Sequence, residues 1–260
     1  VTGPTAALPL HGWVVSVDLW GTLITYGDRN AEAEWRLREF ETVLTAFGHD
    51  VGPDRLREAV LAVRDDTRAR QRDTGEQPPV RDQVMEMLTA LNLGSLDPVH
   101  EQRLVDTLLI PHTHAVQRAC PEVFPGALTA LWELRQAGAR LVLTSNTLAT
   151  PASVSRLIME ERGLLSVFDD TVFSSDIGIA KPRREIFAAV ASRSQVPLQR
   201  VVHVGNSPTT DIAGALNAGC RAVLLTHRDK RCDHDVPVIT ALDQLPAAIL
   251  ALCAAAPGAA

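Results

Sequence analysis

The chain lacks any apolar run approaching the ~20 residues that a membrane-crossing helix requires, so no membrane span is expected. Cysteine is sparse. Cys120, Cys220, Cys232 and Cys253 fall in no CxxC or zinc-ligand spacing, which predicts free thiols and a cytoplasmic setting. Residues 1–12 have neither a basic start nor a long apolar core, and no signal peptide is expected there. Positive charge is not in excess either. The formal charge is −6, which argues against a general nucleic-acid binder. Eight histidines are scattered, and the closest pair, His112 and His114, has no acidic or cysteine companion that would make a metal site. The most informative scarcity is lysine. Of 25 basic residues only Lys181 and Lys230 are lysines. A lysine in this chain is therefore less readily explained as surface filler.

What is present is an alternation of strands and helices. With 260 residues there is room for one large domain, or for a core with a smaller insert. Val14 to Val17 reads as a buried strand ending at Asp18, with Gly21 and Thr22 just beyond. From residue 26 to about 118 the pattern is helical throughout. Apolar positions recur at helical spacing over 31–47, 56–72, 81–91 and 97–109, and Pro111 is expected to end the last helix. The arginines of this stretch (Arg55, Arg57, Arg64, Arg68, Arg70 and Arg72) admit two readings. They form a solvated helix face, the plainer reading, or they hold an anionic substrate. Beyond Pro125-Gly126, strands are expected at 140–145, 171–173, 201–204 and 221–225, alternating with helices. Together with Val14–Val17 these make five parallel strands covered on both faces. Residues 254–260 read as a frayed tail.

The strand ends carry the polar residues. The first gives Asp18 and Thr22, and the second gives Ser145-Asn146. The third is followed by Gly178-Ile179-Ala180-Lys181-Pro182. The fourth runs into Gly205-Asn206 and Asp211. In a parallel α/β sheet these ends share one edge, so the groups converge. Asp18 alone is equally a turn cap or a nucleophile. In company it has a chemical logic. A carboxylate can attack an electrophile, a lysine beside it keeps it ionised, and hydroxyls and backbone amides hold anionic oxygens. His203 and Cys220 lie within apolar runs and are expected in the core, with His203 close enough to support the site.

Taken in order, Asp18-x-x-Gly21-Thr22-Leu23, Ser145-Asn146, Gly178-x-x-Lys181-Pro182 and Gly205-Asn206-x-x-x-x-Asp211 resemble the motifs of the haloacid dehalogenase (HAD) superfamily. The resemblance implies an α/β, HAD-like Rossmannoid core over residues 12–25 and 119–260, and an all-helical cap domain over 26–118. It implies that Asp18 is the nucleophile, with Ser145 and Lys181 as its catalytic companions. Thr22 and Asn146 would contact the substrate. Mg²⁺ would sit among Asp18, the Trp20 carbonyl, Asn206 and Asp211. The implied partner is a small phosphorylated metabolite selected by the cap, and the protein would be a monomer or homodimer.

Two positions depart from that pattern. Phosphatases of the superfamily usually place a second acid two residues after the nucleophile, to protonate the leaving group; here Trp20 stands there. The acid that usually follows the glycine of the last motif is replaced by Asn206, which brings an oxygen but no charge. Aromatic residues at the Trp20 position resemble the dehalogenases, which attack carbon without metal. The spacing from Asn206 to Asp211 and the presence of Phe187 resemble them less. A third alternative is a binding or regulatory protein that keeps the fold with little turnover.

Overall fold

The computed structural model describes residues 8–94, 96–226 and 232–255. Lys230 and the predicted tail beyond residue 255 lie outside the described residues. The first strand, β1 (Val14–Val17), is buried along its whole length, as expected for a parallel strand covered on both faces. After a turn the chain enters four long helices: α1 (Arg29–Ala46), α2 (Pro53–Asp73), α3 (Val80–Leu91) and α4 (Pro98–His114). Asp28 caps α1 by accepting from the amides of Asn30 and Ala31, and Asp97 caps α4 by accepting from Val99 and His100. Each such cap contributes ~1 kcal/mol.

The remainder alternates: α5 (Ala127–Gln136), β2 (Arg140–Ser145), α6 (Ala152–Glu161), β3 (Asp170–Phe173), α7 (Ser174–Ile177), α8 (Arg184–Ser194), β4 (Val201–Gly205), α9 (Gly214–Ala218), β5 (Arg221–Leu225), β6 (Val238–Ile239) and α10 (Leu245–Ala254). The sheet order is β3-β2-β1-β4-β5-β6, with every pair parallel. The sheet therefore has six strands rather than the expected five. The sixth contributes two residues, pairing Leu224 with Val238 and Leu225 with Ile239, too few to show an alternating pattern.

Strand periodicity sorts the core. Val15, Val17, Leu141, Leu143, Val202 and Val204 point to one face, into the cluster built with α5, α6 and α10. Val14, Val142, Val201 and Leu224 point to the other, against α8 and α9. On that second face the next in-phase residues of β1, β2 and β4 are polar: Ser16, Thr144 and His203. They bond to one another across the sheet, Ser16 to Thr144 at 2.7 Å and to His203 Nδ1 at 2.8 Å, so no polar group in this row is stranded.

The long helices have their own apolar cluster, centred on Phe40, Leu44, Leu56, Val84, Leu91 and Leu104. The expected end of α4 at Pro111 is not observed. The helix continues to His114, and a 3₁₀ turn extends it to Ala119. A proline inside a helix removes one ladder bond, here to the Thr107 carbonyl. Thr107 is exposed, so solvent can take that carbonyl. The helices meet the sheet edge through the segment after α2. Gln77 N–H donates to the Gly178 carbonyl at 3.1 Å, and Ala180 N–H donates to the Gly75 carbonyl at 2.8 Å. The Gln71 amide bonds to Gln77 Oε1 at 2.6 Å and to the Thr147 carbonyl.

Among the described residues, no helix is long and apolar enough to cross a membrane. The four cysteines are free thiols.

Candidate active site

The parallel strands place their C-terminal ends along one edge, and the side chains that follow β1, β2 and β4 meet there. Lys181 reaches the same point from the loop after α7. Its side chain is 2% exposed, and its Nζ lies 2.7 Å from Asp18 Oδ1 and 2.7 Å from Asp211 Oδ1. It also donates to the Thr144 carbonyl at 2.8 Å. Burial by itself would strip the proton from this ammonium, but the two carboxylates overcome it and hold the Lys181 pKa above its ordinary value. Burial also opposes the charge on Asp211. Lys181 and the His203 hydrogen bond outweigh that and hold Asp211 well below the usual carboxylate range. Asp18 is pushed the other way, by burial first and by the Asp211 charge, with Lys181 pulling it back. Two acids thus share one cation.

His203 completes the buried row. Its Nε2 is 3.3 Å from Asp211 Oδ1, and burial holds its pKa below the ordinary histidine value. Ser207 N–H donates to Asp211 Oδ2 at 2.9 Å. Gly205, at the end of β4, admits no side chain: a Cβ there would lie 2.3 Å from Asp211 Cγ. Gly21 is held to glycine twice over. Its φ is +74°, and a Cβ would lie 2.1 Å from Asn206 Nδ2.

The sequence-predicted residues converge. Asp18, Trp20, Ser145, Asn146, Lys181, Asn206 and Asp211 all border one cavity of about 540 Å³ between the sheet edge and α1–α4. Thr22, expected to contact substrate, is wholly buried and donates from Oγ1 to Asp18 Oδ2 at 3.1 Å, which orients that carboxylate. Asn146, also expected to contact substrate, has both amide atoms on the Lys181 backbone: Oδ1 accepts from Lys181 N–H at 2.7 Å and Nδ2 donates to the carbonyl at 2.9 Å. It fixes the lysine in place. The Ser145 hydroxyl borders the cavity and donates to the Asn146 carbonyl at 3.3 Å.

Tyr26 was not anticipated. It donates from its hydroxyl to the Trp20 carbonyl at 3.2 Å, hydrogen-bonds Asn206, and stacks on the Trp20 ring with centroids 6.1 Å apart. Partial desolvation and the neighbouring Asp18 charge raise its pKa, so the phenol stays protonated although the residue is half exposed. It lies outside every motif. The one sequence signal was that it is the only tyrosine in the chain. The arginines divide. Arg64, Arg68 and Arg72 face the cavity, whereas Arg55 donates to the Leu91 carbonyl and Arg57 faces elsewhere. His112 borders the cavity as a buried residue bonded to Gln83 at 3.1 Å, and burial lowers its pKa to about 3.

The donor set expected for a metal is all oxygen: the Asp18 and Asp211 carboxylates, the Trp20 carbonyl and the Asn206 amide. That chemistry fits a hard divalent cation, because both Asp18 oxygens, Asp211 Oδ2 and the Trp20 carbonyl keep a lone pair beyond the bonds just described, whereas Asp211 Oδ1 is taken by Lys181 and His203. It brings two negative charges, and among the described residues no cluster of three acidic, histidine or cysteine side chains could hold a metal.

A family model described as haloacid dehalogenase-like hydrolase matches residues 14–219. Glyceraldehyde 3-phosphate phosphatase of Methanothermobacter thermautotrophicus is 34% identical over 51% of this chain; the match spans 61% of that protein's length, less than two thirds. Phosphoglycolate phosphatase of Escherichia coli is 28% identical over 82% of this chain and 81% of its own length. Among solved structures, a 2-haloacid dehalogenase from Pseudomonas syringae pv. Tomato is 26% identical, with a TM-score of 0.68, over 92% of this chain and 99% of that one. The buried Asp18–Lys181–Asp211 trio, its place at the sheet edge and the extent of the family match agree, and the chain belongs to the haloacid dehalogenase-like hydrolase family.

Proposed function

We propose that this protein is a phosphohydrolase of small phosphorylated metabolites, with Asp18 as the nucleophile and residues 26–118 as a cap over the site. The observation that carries this reading is the buried Lys181 ammonium, 2.7 Å from both Asp18 and Asp211. It orients one carboxylate oxygen and pulls the Asp18 pKa down against the burial that raises it, which favours the ionised form a carboxylate nucleophile needs. Thr22 fixes the second Asp18 oxygen.

In the first step an Asp18 oxygen attacks phosphorus and the ester P–O bond breaks. This forms an aspartyl-phosphate and releases the alcohol oxygen with its electron pair. In the second step water attacks phosphorus, the bond to Asp18 breaks, and phosphate leaves with the carboxylate restored. Trp20 cannot donate the proton that an alkoxide leaving group requires. The favoured substrates are therefore those with good leaving groups, acyl or aryl phosphates. Ser145, which borders the cavity, would turn its hydroxyl from the Asn146 carbonyl to a phosphoryl oxygen, and Asn146 keeps Lys181 in register. Asp18, the Trp20 carbonyl, Asn206 and Asp211 would hold Mg²⁺, which when bound neutralises charge on the phosphoryl oxygens. The protein groups of the trio carry one positive and two negative charges, so an anionic substrate needs added positive charge, and the cavity arginines contribute some of it.

The relatives whose names specify phosphatases support this reading. The test is hydrolysis of an aryl phosphate with Mg²⁺ present, which Asp18→Asn should abolish. A second reading is favoured by Trp20 and by the neighbouring 2-haloacid dehalogenase structure. Halide release from 2-haloacids without added metal, with no turnover of any phosphate ester, would establish it instead.

A further inference from the structure

Helix α2 turns one face toward the cavity, and that face is an arginine ladder. Arg64, Arg68 and Arg72 recur at four-residue spacing, and all three border the same cavity as Asp18. Like charges at this spacing oppose helix formation, so the ladder is a cost that folding does not explain. Arg29, the first residue of α1, joins them with its guanidinium 5.8 Å from the Tyr26 ring centroid.

These four cations have few counter-charges. Asp65 serves both Arg64 at 2.9 Å and Arg68 at 3.9 Å, and Asp73 serves Arg72 at 2.8 Å. Both acids are largely exposed, where pairing is weak. Among the described residues no carboxylate pairs with Arg29. The crowding is felt at Arg68, whose pKa is lowered by partial burial and then by the charges of Arg64 and Arg29.

A second observation points the same way. Thr67 lies between Arg64 and Arg68 on the cavity wall. It is wholly buried, and its hydroxyl has no hydrogen-bond partner among the described residues. Across the cavity, the buried Arg36 Nε is likewise without one. Buried polar groups are rarely left so, and a small shift of either side chain toward the cavity would let a ligand oxygen satisfy it.

We propose that the α2 face is an anion subsite for a second acidic group of the substrate, a carboxylate or a phosphate set apart from the phosphoryl group that faces Asp18. The proposal rests on the phosphatase reading given above and narrows its substrate class to bis-anionic metabolites. Guanidinium groups bind either anion through paired N–H donors, so the wall recognises the shared chemistry.

Phosphonates resist hydrolysis, which allows binding to be measured without turnover. Calorimetry on the full chain would compare methylphosphonate, which has one acidic group, with phosphonoacetate, 3-phosphonopropionate and 4-phosphonobutyrate. These three hold a carboxylate at increasing distance, and methylenediphosphonate tests a second phosphorus-based anion. At least one bis-anion should bind about tenfold more tightly than methylphosphonate, as one charge-assisted contact implies. That gain should shrink with added salt and disappear in R64Q/R68Q, while R57Q, on the same helix away from the cavity, keeps it. Equal affinity for one and two acidic groups, or a gain that survives R64Q/R68Q, overturns the subsite. Failure of the phosphatase reading looks different: bis-anions would still be preferred, but no phosphate ester would be hydrolysed.

Discussion

Replacing Lys181 by methionine removes the one cation between Asp18 and Asp211 while keeping a side chain of similar length. The ammonium lies 2.7 Å from each acid, and none of the three side chains is more than 10% exposed. Breaking a buried ion pair and leaving the partner charged costs about 3–5 kcal/mol. Near neutral pH the variant should unfold at a correspondingly lower urea concentration. The pH dependence then separates this cause from simple loss of packing. In the parent protein the Asp211 pKa is depressed, so its contribution is fully present above the unfolded value of about 4 and is lost only below it. In the variant both carboxylates are buried without a cation, and their pKa values rise. The folded state then takes up a proton at a pH where the unfolded chain has not. The deficit should narrow by about 1.4 kcal/mol per pH unit once one carboxylate is protonated. Urea titrations followed by tryptophan fluorescence, at several pH values from about 7.5 to 5.5, measure this directly. A variant as stable as the parent, or a deficit independent of pH, would refute the reasoning.

Other perturbations follow from the same geometry. His112 has a folded pKa of about 3 and titrates in the unfolded chain near 6.5, so its neutral form contributes stability that is lost as pH falls through that window. Between about pH 7 and pH 5 the loss should be about 2 kcal/mol, and His112→Gln should flatten that part of the stability curve. Gly21→Ala forces a side chain onto the Asn206 amide at a positive φ, which should cost about 1–2 kcal/mol in chemical denaturation and raise the Mg²⁺ concentration needed for half-maximal phosphatase rate. Trp20→Asp restores an acid at the position where a leaving group needs one. Hydrolysis of an alkyl phosphate should rise by about 10²-fold or more, and an unchanged rate would show that the missing acid does not limit the chemistry.

The sequence made some of this legible for identifiable reasons. Asp18 was readable because it directly follows a short apolar run, and Lys181 and Asp211 because they stand at motif spacings in the segments after β3 and β4, which parallel topology brings to the same edge. Lysine scarcity sharpened the reading of Lys181. The strand β6 was not readable, since two residues carry no periodicity. Pro111 misled because a proline near a helix end signals a stop, yet the freed carbonyl lies on an exposed turn where the break is tolerated. Thr22 and Asn146 were placed at the right edge, but their bonds to Asp18 and to the Lys181 backbone were not readable, because sequence position does not say which way a polar side chain turns. Tyr26 depends on how the loops after β1 and β4 meet, and the cavity face of α2 on how the helices sit over the sheet. No local pattern records that, and a solvated helix face and a ligand-facing one have the same sequence appearance at Arg64, Arg68 and Arg72.

The central claim is that Asp18 becomes covalently phosphorylated. Acid quenching during steady turnover of an aryl phosphate with Mg²⁺, followed by mass spectrometry of the peptide containing Asp18, tests it most directly. The account predicts one phosphoryl group on Asp18, absent in Asp18→Asn. An unmodified Asp18 peptide during rapid turnover, or the phosphoryl group on another residue, would contradict it.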